Sequence, residues 1–179
     1  MRALPIAVTA VAAALVLTAC SDNGGGGGTK KASAAPSAST ACQVGRVGIK
    51  VGPGNAATTA GDTGNVPVTL TNHGGAACTL KGFPRIALSG SEASWTVAQL
   101  KDAQPEKLTL KPDETAGFTI TYVRGAGGGS AKSASVSTLK VALPGGTDDR
   151  SFAWSYGAVA LLSESEPNAS VGPFQTAGD

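Results

Sequence analysis

Short apolar-polar alternations, cut apart by glycine and proline, decide most of what this chain can fold into. They occur at Val47, Ile49 and Val51; at Val66, Val68 and Leu70; at Phe118, Ile120 and Tyr122; at Leu139 and Val141; and at Phe152, Trp154 and Tyr156. A period of two sends successive side chains to opposite faces, so each run predicts a half-buried strand. Between the runs lie GPGN at 52–55, GDTGN at 61–65, NHGG at 72–75, KPDE at 111–114, GAGGGS at 125–130 and PGGTDD at 144–149. Such frequent punctuation forbids long helices. Residues 92–100, the least regular stretch, leave room for one helical turn. Many short strands, turn signals and no helical crossover predict an all-β fold, an antiparallel β-sandwich.

That pattern begins only after residue 41. The chain opens MRALPIAVTAVAAALVLTAC, in which Arg2 precedes an uncharged, mostly apolar run from Ala3 to Val16 and small residues then lead to Cys20. This is the three-part form of an export signal, too short and wrongly flanked for a membrane span. Leu17, Thr18, Ala19 and Cys20 resemble the lipobox of bacterial lipoproteins. The resemblance implies that a signal peptidase recognises Leu17, Thr18 and Ala19, and that the Cys20 thiol takes a diacylglyceryl group with palmitate-type chains before cleavage in front of it. Two acyl chains anchor stably, whereas one binds only marginally. The other reading is an ordinary secretory signal with a chance cysteine.

Residues 21–41, SDNGGGGGTKKASAAPSASTA, hold no aliphatic side chain larger than alanine. They cannot bury enough apolar surface to offset their ordering entropy, and as a flexible coil they reach about 25 Å. The expected organisation is therefore a signal peptide at 1–19, a lipidated cysteine with a disordered Gly/Ser/Ala linker at 20–41, and one β-sandwich domain at 42–179 with room for a loose C-terminal tail. Without residues 1–19 the chain has 13 basic and 12 acidic residues and no basic block. Charge thus argues against a nucleic-acid partner and leaves membrane attachment to the anchor.

Val66 to Pro84, VPVTLTNHGGAACTLKGFP, resembles the pattern "tNtG...CtL.GyP" of secreted actinobacterial lipoproteins of domain-of-unknown-function family 4232. Asn72, Gly74, Cys78, Thr79, Leu80, Gly82 and Pro84 take the motif positions, and Phe83 stands where the family has an aromatic residue. LTLKPDETAGFTI resembles a later "v.L.pG..a.f.l" segment, with Pro112-Asp113 in place of the usual Pro-Gly. The likeness spans residues 42–160. It implies a secreted, often lipid-anchored domain of immunoglobulin-like character with no established reaction, and it supplies no catalytic residue. Members often carry a further cysteine in the segment matching SAKSASVSTLKVALPG, where this chain has serines. With Cys20 taken by lipid, Cys42 and Cys78 remain as the only pair in an oxidising compartment, which makes them the expected disulfide. Two free thiols or a redox pair are the competing readings, although nothing resembles a Cys-x-x-Cys site.

Chemistry is sparse. His73 is the sole histidine, it lies in a turn, and no G-x-S-x-G elbow accompanies it. Soft metal ligands are too few for copper or zinc, and Asp113, Glu114, Asp148, Asp149, Glu164 and Glu166 show no calcium-loop spacing, so no metal and no cofactor is expected. Gly52-Pro53-Gly54-Asn55-Ala56-Ala57 matches a dinucleotide fingerprint only superficially, since no helix can begin there. The sequon Asn168-Ala169-Ser170 says little in an exported chain of bacterial character. Trp154 alternates with Phe152 and Tyr156 and reads as core, whereas Trp95 has no periodicity to fix its face: packing is the first reading for it, and it is also the candidate interaction residue. The expected function is a lipid-anchored binding or structural module on the extracytoplasmic face of the cell membrane, without catalysis, meeting an envelope protein or a cell-wall glycan. The alternatives are an envelope hydrolase and a small-ligand-binding lipoprotein.

Overall fold

The computed structural model describes residues 40–91, 93–127, 130 and 132–177. The expected signal peptide, the lipobox-like residues with Cys20, and the expected linker up to residue 39 lie outside them. The described strands, in chain order, are β1 (Thr40–Ala41), β2 (Val47–Val51), β3 (Thr63–Asn72), β4 (Cys78–Lys81), β5 (Arg85–Ser89), β6 (Ser94–Thr96), β7 (Ala98–Gln99) and β8 (Lys107–Leu110). They continue with β9 (Thr115–Val123), β10 (Ser133–Ala134), β11 (Thr138–Ala142), β12 (Asp149–Ala153), β13 (Val159–Ser163), β14 (Glu166–Pro167), β15 (Ala169–Val171) and β16 (Gln175–Thr176). Among the described residues no helix is long and apolar enough to cross a membrane.

The fold is all-β and sandwich-like, with open sheets. The larger sheet runs β2-β3-β9-β15-β7, with β16 also on β9. Its spine is the antiparallel pair β3/β9, in register from Thr63 opposite Val123 to Thr71 opposite Thr115. Burial alternates along both strands as the sequence pattern requires: Val66, Val68 and Leu70 face inward from β3, and Phe118, Ile120 and Tyr122 from β9. The second sheet runs β12-β11-β5-β6 and turns Ile86, Leu88, Leu139 and Val141 into the same core. Two smaller sheets, β1-β4-β8 and β10-β13-β14, complete the structure, and Cys78, Leu80, Leu110 and Val159 bring them into the same cluster.

Pro67 sits inside β3, between two partners, where a missing N–H should break a ladder. Its carbonyl accepts from Gly52 N at 2.8 Å, so the lost donor is the one that would have returned to the Gly52 carbonyl. That carbonyl instead accepts the Tyr156 hydroxyl at 2.6 Å. A side chain from a distant loop thus completes a ladder that the backbone could not.

The structure departs from expectation at several points. Residues 94–99 contain no helical turn: β6 pairs with β5 in one sheet and β7 with β15 in the other, so the chain changes sheets at Val97, which is buried. Two short pairs, β1/β4 and β7/β15, are parallel within an otherwise antiparallel fold. The first described strand, β1, lies just ahead of Cys42. Its C-terminal segment is pinned through residue 176 by β15 and β16 on β9, and Phe174 packs edge-on to Phe118 with ring centroids 5.8 Å apart. Trp154 and Tyr156 fall beyond β12, which ends at Ala153.

Candidate functional site

Asn72 ends β3 and is the one buried polar residue among those described. Its Nδ2 donates to the carbonyls of Ala76 and Leu110, each at 2.9 Å, and its Oδ1 accepts Gly74 N at 2.9 Å. One side chain therefore closes the NHGG turn and fastens it to β8. The rest of the motif is equally structural. Cys78 opens β4, Leu80 is 1 % exposed, Gly82 has the positive φ of 91° that a side chain resists, and Pro84 is buried just before β5. The sequence reading took 72–75 for turn chemistry and missed that Asn72 points inward.

Cys42 and Cys78 form a disulfide, with their Cα atoms 4.9 Å apart. Cys42 N also donates to the Thr79 carbonyl at 2.9 Å, extending the parallel pairing of β1 with β4. The bridge thus clamps the first described strand to the motif. Cys20, with Leu17, Thr18 and Ala19, lies outside the described residues.

His73 offers little catalytic geometry. Its Nδ1 lies 4.0 Å from Asp113 Oδ1 with both side chains well exposed, and the imidazole covers Gly48, where an added Cβ would meet Nε2 at 2.5 Å. Glu114 is committed to its turn: Oε2 accepts Lys111 N at 2.9 Å, and Oε1 is 3.2 Å from Lys111 Nζ. The Lys111 backbone N–H, followed by its ammonium group, holds the Glu114 carboxyl below its ordinary pKa. Among the described residues no three His, Cys, Asp or Glu side chains stand close enough to hold a metal ion.

The two tryptophans sit in separate features. Trp154 packs between Tyr122 and Tyr156, with centroids at 5.2 and 4.9 Å, and donates Nε1–H to the Gly157 carbonyl at 2.7 Å. The Tyr122 hydroxyl donates to the Tyr156 carbonyl at 3.1 Å, and Arg124 Nη1 donates to the same oxygen at 2.9 Å. Gly64 lies directly opposite Tyr122, and a Cβ there would strike the ring, so the glycine makes the room. The sequence carried no signal for this network beyond the Phe152-Trp154-Tyr156 alternation.

Trp95, the candidate interaction residue, is only 9 % exposed, and its Nε1 donates to the Glu164 carbonyl at 3.1 Å. Its ring is therefore mostly covered, with only a margin left open. The little that remains open lies in a depression of about 230 Å³ between Gly90, Ser91 and Ala93 on one side and Ser130, Ser133 and Ser135 on the other. A larger hollow of about 370 Å³ lies beside Thr40, Gln43 and Asp148, where the chain enters the domain.

The model of the family described as "domain of unknown function (DUF4232)" matches residues 42–175. No curated protein matches the chain.

Proposed function

Because the chain belongs to this domain-of-unknown-function family, a membership that carries no reaction with it, we propose that it is a non-catalytic binding or structural module. It is held by lipid on Cys20 at the outer face of the cell membrane and carried on a flexible spacer. The observation that carries this reading is the Cys42–Cys78 bridge. Disulfides persist in exported proteins and are rare in reducing cytosol, so the bridge supports an address outside it. The export-type segment ending at Leu17-Thr18-Ala19-Cys20 then accounts for the third sulfur.

Two features support display over catalysis. Asn72, Cys78, Leu80 and Pro84 of the family-like motif are committed to packing, bridging or turn closure. The His73–Asp113 contact is long and solvated.

The direct test is fractionation of cells expressing wild-type protein, with and without globomycin, beside Cys20→Ser. The expected outcome is membrane retention of the wild type, accumulation of the unprocessed precursor under globomycin, and loss of the diacylglyceryl mass in the variant. A Cys20→Ser chain that is still cleaved and membrane-bound without lipid would overturn the anchoring. Crosslinking in intact cells, followed by identification of what is attached, tests the binding role without assuming a ligand.

A further inference from the structure

The depression beside Trp95 has the chemistry of a small sugar site. Four serines line it, Ser91 from the β5/β6 turn and Ser130, Ser133 and Ser135 from the segment around β10, and the indole of Trp95 forms an apolar floor. Among the described residues that line it, none is charged. Ser130 Oγ accepts only a long contact from Lys132 N at 3.4 Å, and the hydroxyls of Ser91, Ser133 and Ser135 make no hydrogen bond to another described residue. A serine hydroxyl donates one hydrogen bond and accepts two, which matches the mixed demands of a sugar hydroxyl.

The floor is fixed from behind. Because Trp95 Nε1–H is already given to the Glu164 carbonyl, the indole is held in place and its six-membered ring borders the depression. Gly90 keeps that edge open: a Cβ there would collide with the Ser135 carbonyl and lie 3.7 Å from Trp95 Cζ3. At about 230 Å³ the space falls short of the ~300–1,000 Å³ of drug-sized ligand sites, so it suits one ring and not an extended chain.

We propose that this serine-lined depression binds a single neutral sugar ring, such as a terminal residue of an envelope glycan. The hydroxyls grip the ring's rim and the Trp95 edge meets its C–H surface. The proposal deepens the binding-module reading and rests on it.

The test uses full-length, ¹⁵N-labelled protein extracted in a detergent without a sugar headgroup. It is titrated separately with methyl α-mannopyranoside, methyl α-glucopyranoside and N-acetylglucosamine, with acetate as the charged control. The expected result is a saturable shift of the Trp95 indole N–H and the Ser133 and Ser135 amides for at least one sugar, with millimolar affinity and no response to acetate. Ser133→Ala/Ser135→Ala should weaken that affinity about tenfold or more while the remaining spectrum stays dispersed. Ser91→Ala, in the exposed turn, gives a second and milder check. Flat titrations to about 50 mM of all three sugars, shifts unchanged in the variants, or equal binding of acetate would each overturn the site. Flat titrations would leave the membrane-fractionation result standing, and a chain found soluble and unlipidated that still bound sugar would overturn only the anchoring.

Discussion

Asn72 shows how much of this fold can rest on one side chain. Three hydrogen bonds leave a buried amide for three different parts of the backbone, and no shorter or apolar residue can make them. Asn72→Ala strips a donor or acceptor from Ala76, Leu110 and Gly74 at once, and the expected cost is about 2–4 kcal/mol, read as a lower urea midpoint with an unchanged slope. Asn72→Asp keeps the bond from Gly74 N but turns a buried carboxylate oxygen toward the Ala76 and Leu110 carbonyls, and it should cost at least as much as the alanine. Asp113 presents the opposite case. It adopts a φ of 64° in the turn after Pro112, at the position where the related segment has glycine, and its side chain meets only the distant, exposed His73. A left-handed conformation is costly for a residue with a Cβ. Asp113→Gly is therefore expected to stabilise the protein by about 0.5–1 kcal/mol, visible as a raised melting temperature.

Turns and strands differ in how openly the sequence announces them. In the 111–114 turn, Glu114 accepts the Lys111 N–H, and its carboxyl is held below the ordinary pKa first by that bond and then by the lysine side chain. A carboxyl depressed in the folded state contributes stability that is present above its unfolded pKa and is lost as pH falls through the lower folded value. The contribution should be present at neutral pH and fade on acidification below the ordinary value of 4.5, and Glu114→Gln should remove that part of the pH dependence. Denaturation midpoints of the two proteins, compared across that range, check it: curves that stay parallel as pH falls would rule the contribution out. Long strands such as β3 and β9 were legible because a buried face enforces strict alternation over nine or ten residues. β1, β7, β14, β15 and β16 have two or three residues each, too few for a period, and their extended form is imposed by the strands they meet. Residues 94–99 defeated the reading because the chain leaves one sheet for the other there, so neither a helical nor a strand period develops. The serine-lined depression stayed hidden for a related reason: it joins Ser91 and Trp95 to Ser130, Ser133 and Ser135, and pattern along the chain says nothing of such a meeting.

At the scale of the whole molecule, the compartment and the fold depend on the same bond. The bridge spans a sequence separation of 36, and closing a loop of that size in the unfolded chain is worth about 4 kcal/mol in the loop-entropy model. Against a typical net stability of about 5–15 kcal/mol, this is a large share. The first described strand depends on it most directly, since β1 has only two residues and one neighbour, β4, which begins at the bridged Cys78. A chain begun after residue 19 and retained in a reducing cytosol should therefore fold with a weaker N-terminal edge. Its Cys42 and Cys78 should alkylate once the domain opens, its urea midpoint should fall in proportion to the lost loop constraint, and exchange of the β1 and β4 amides should accelerate ahead of the β3/β9 spine. The exported chain should resist alkylation in native buffer and in urea alike. An exported Cys42→Ala/Cys78→Ala variant separates the bond from every other effect of location, and it should reproduce the midpoint of the cytosolic form. If the bridged and unbridged chains melted together, the disulfide would be incidental to the fold, whereas thiols at Cys42 and Cys78 that alkylate in the protein from its native cells would remove the principal physical support for an address outside the cytosol.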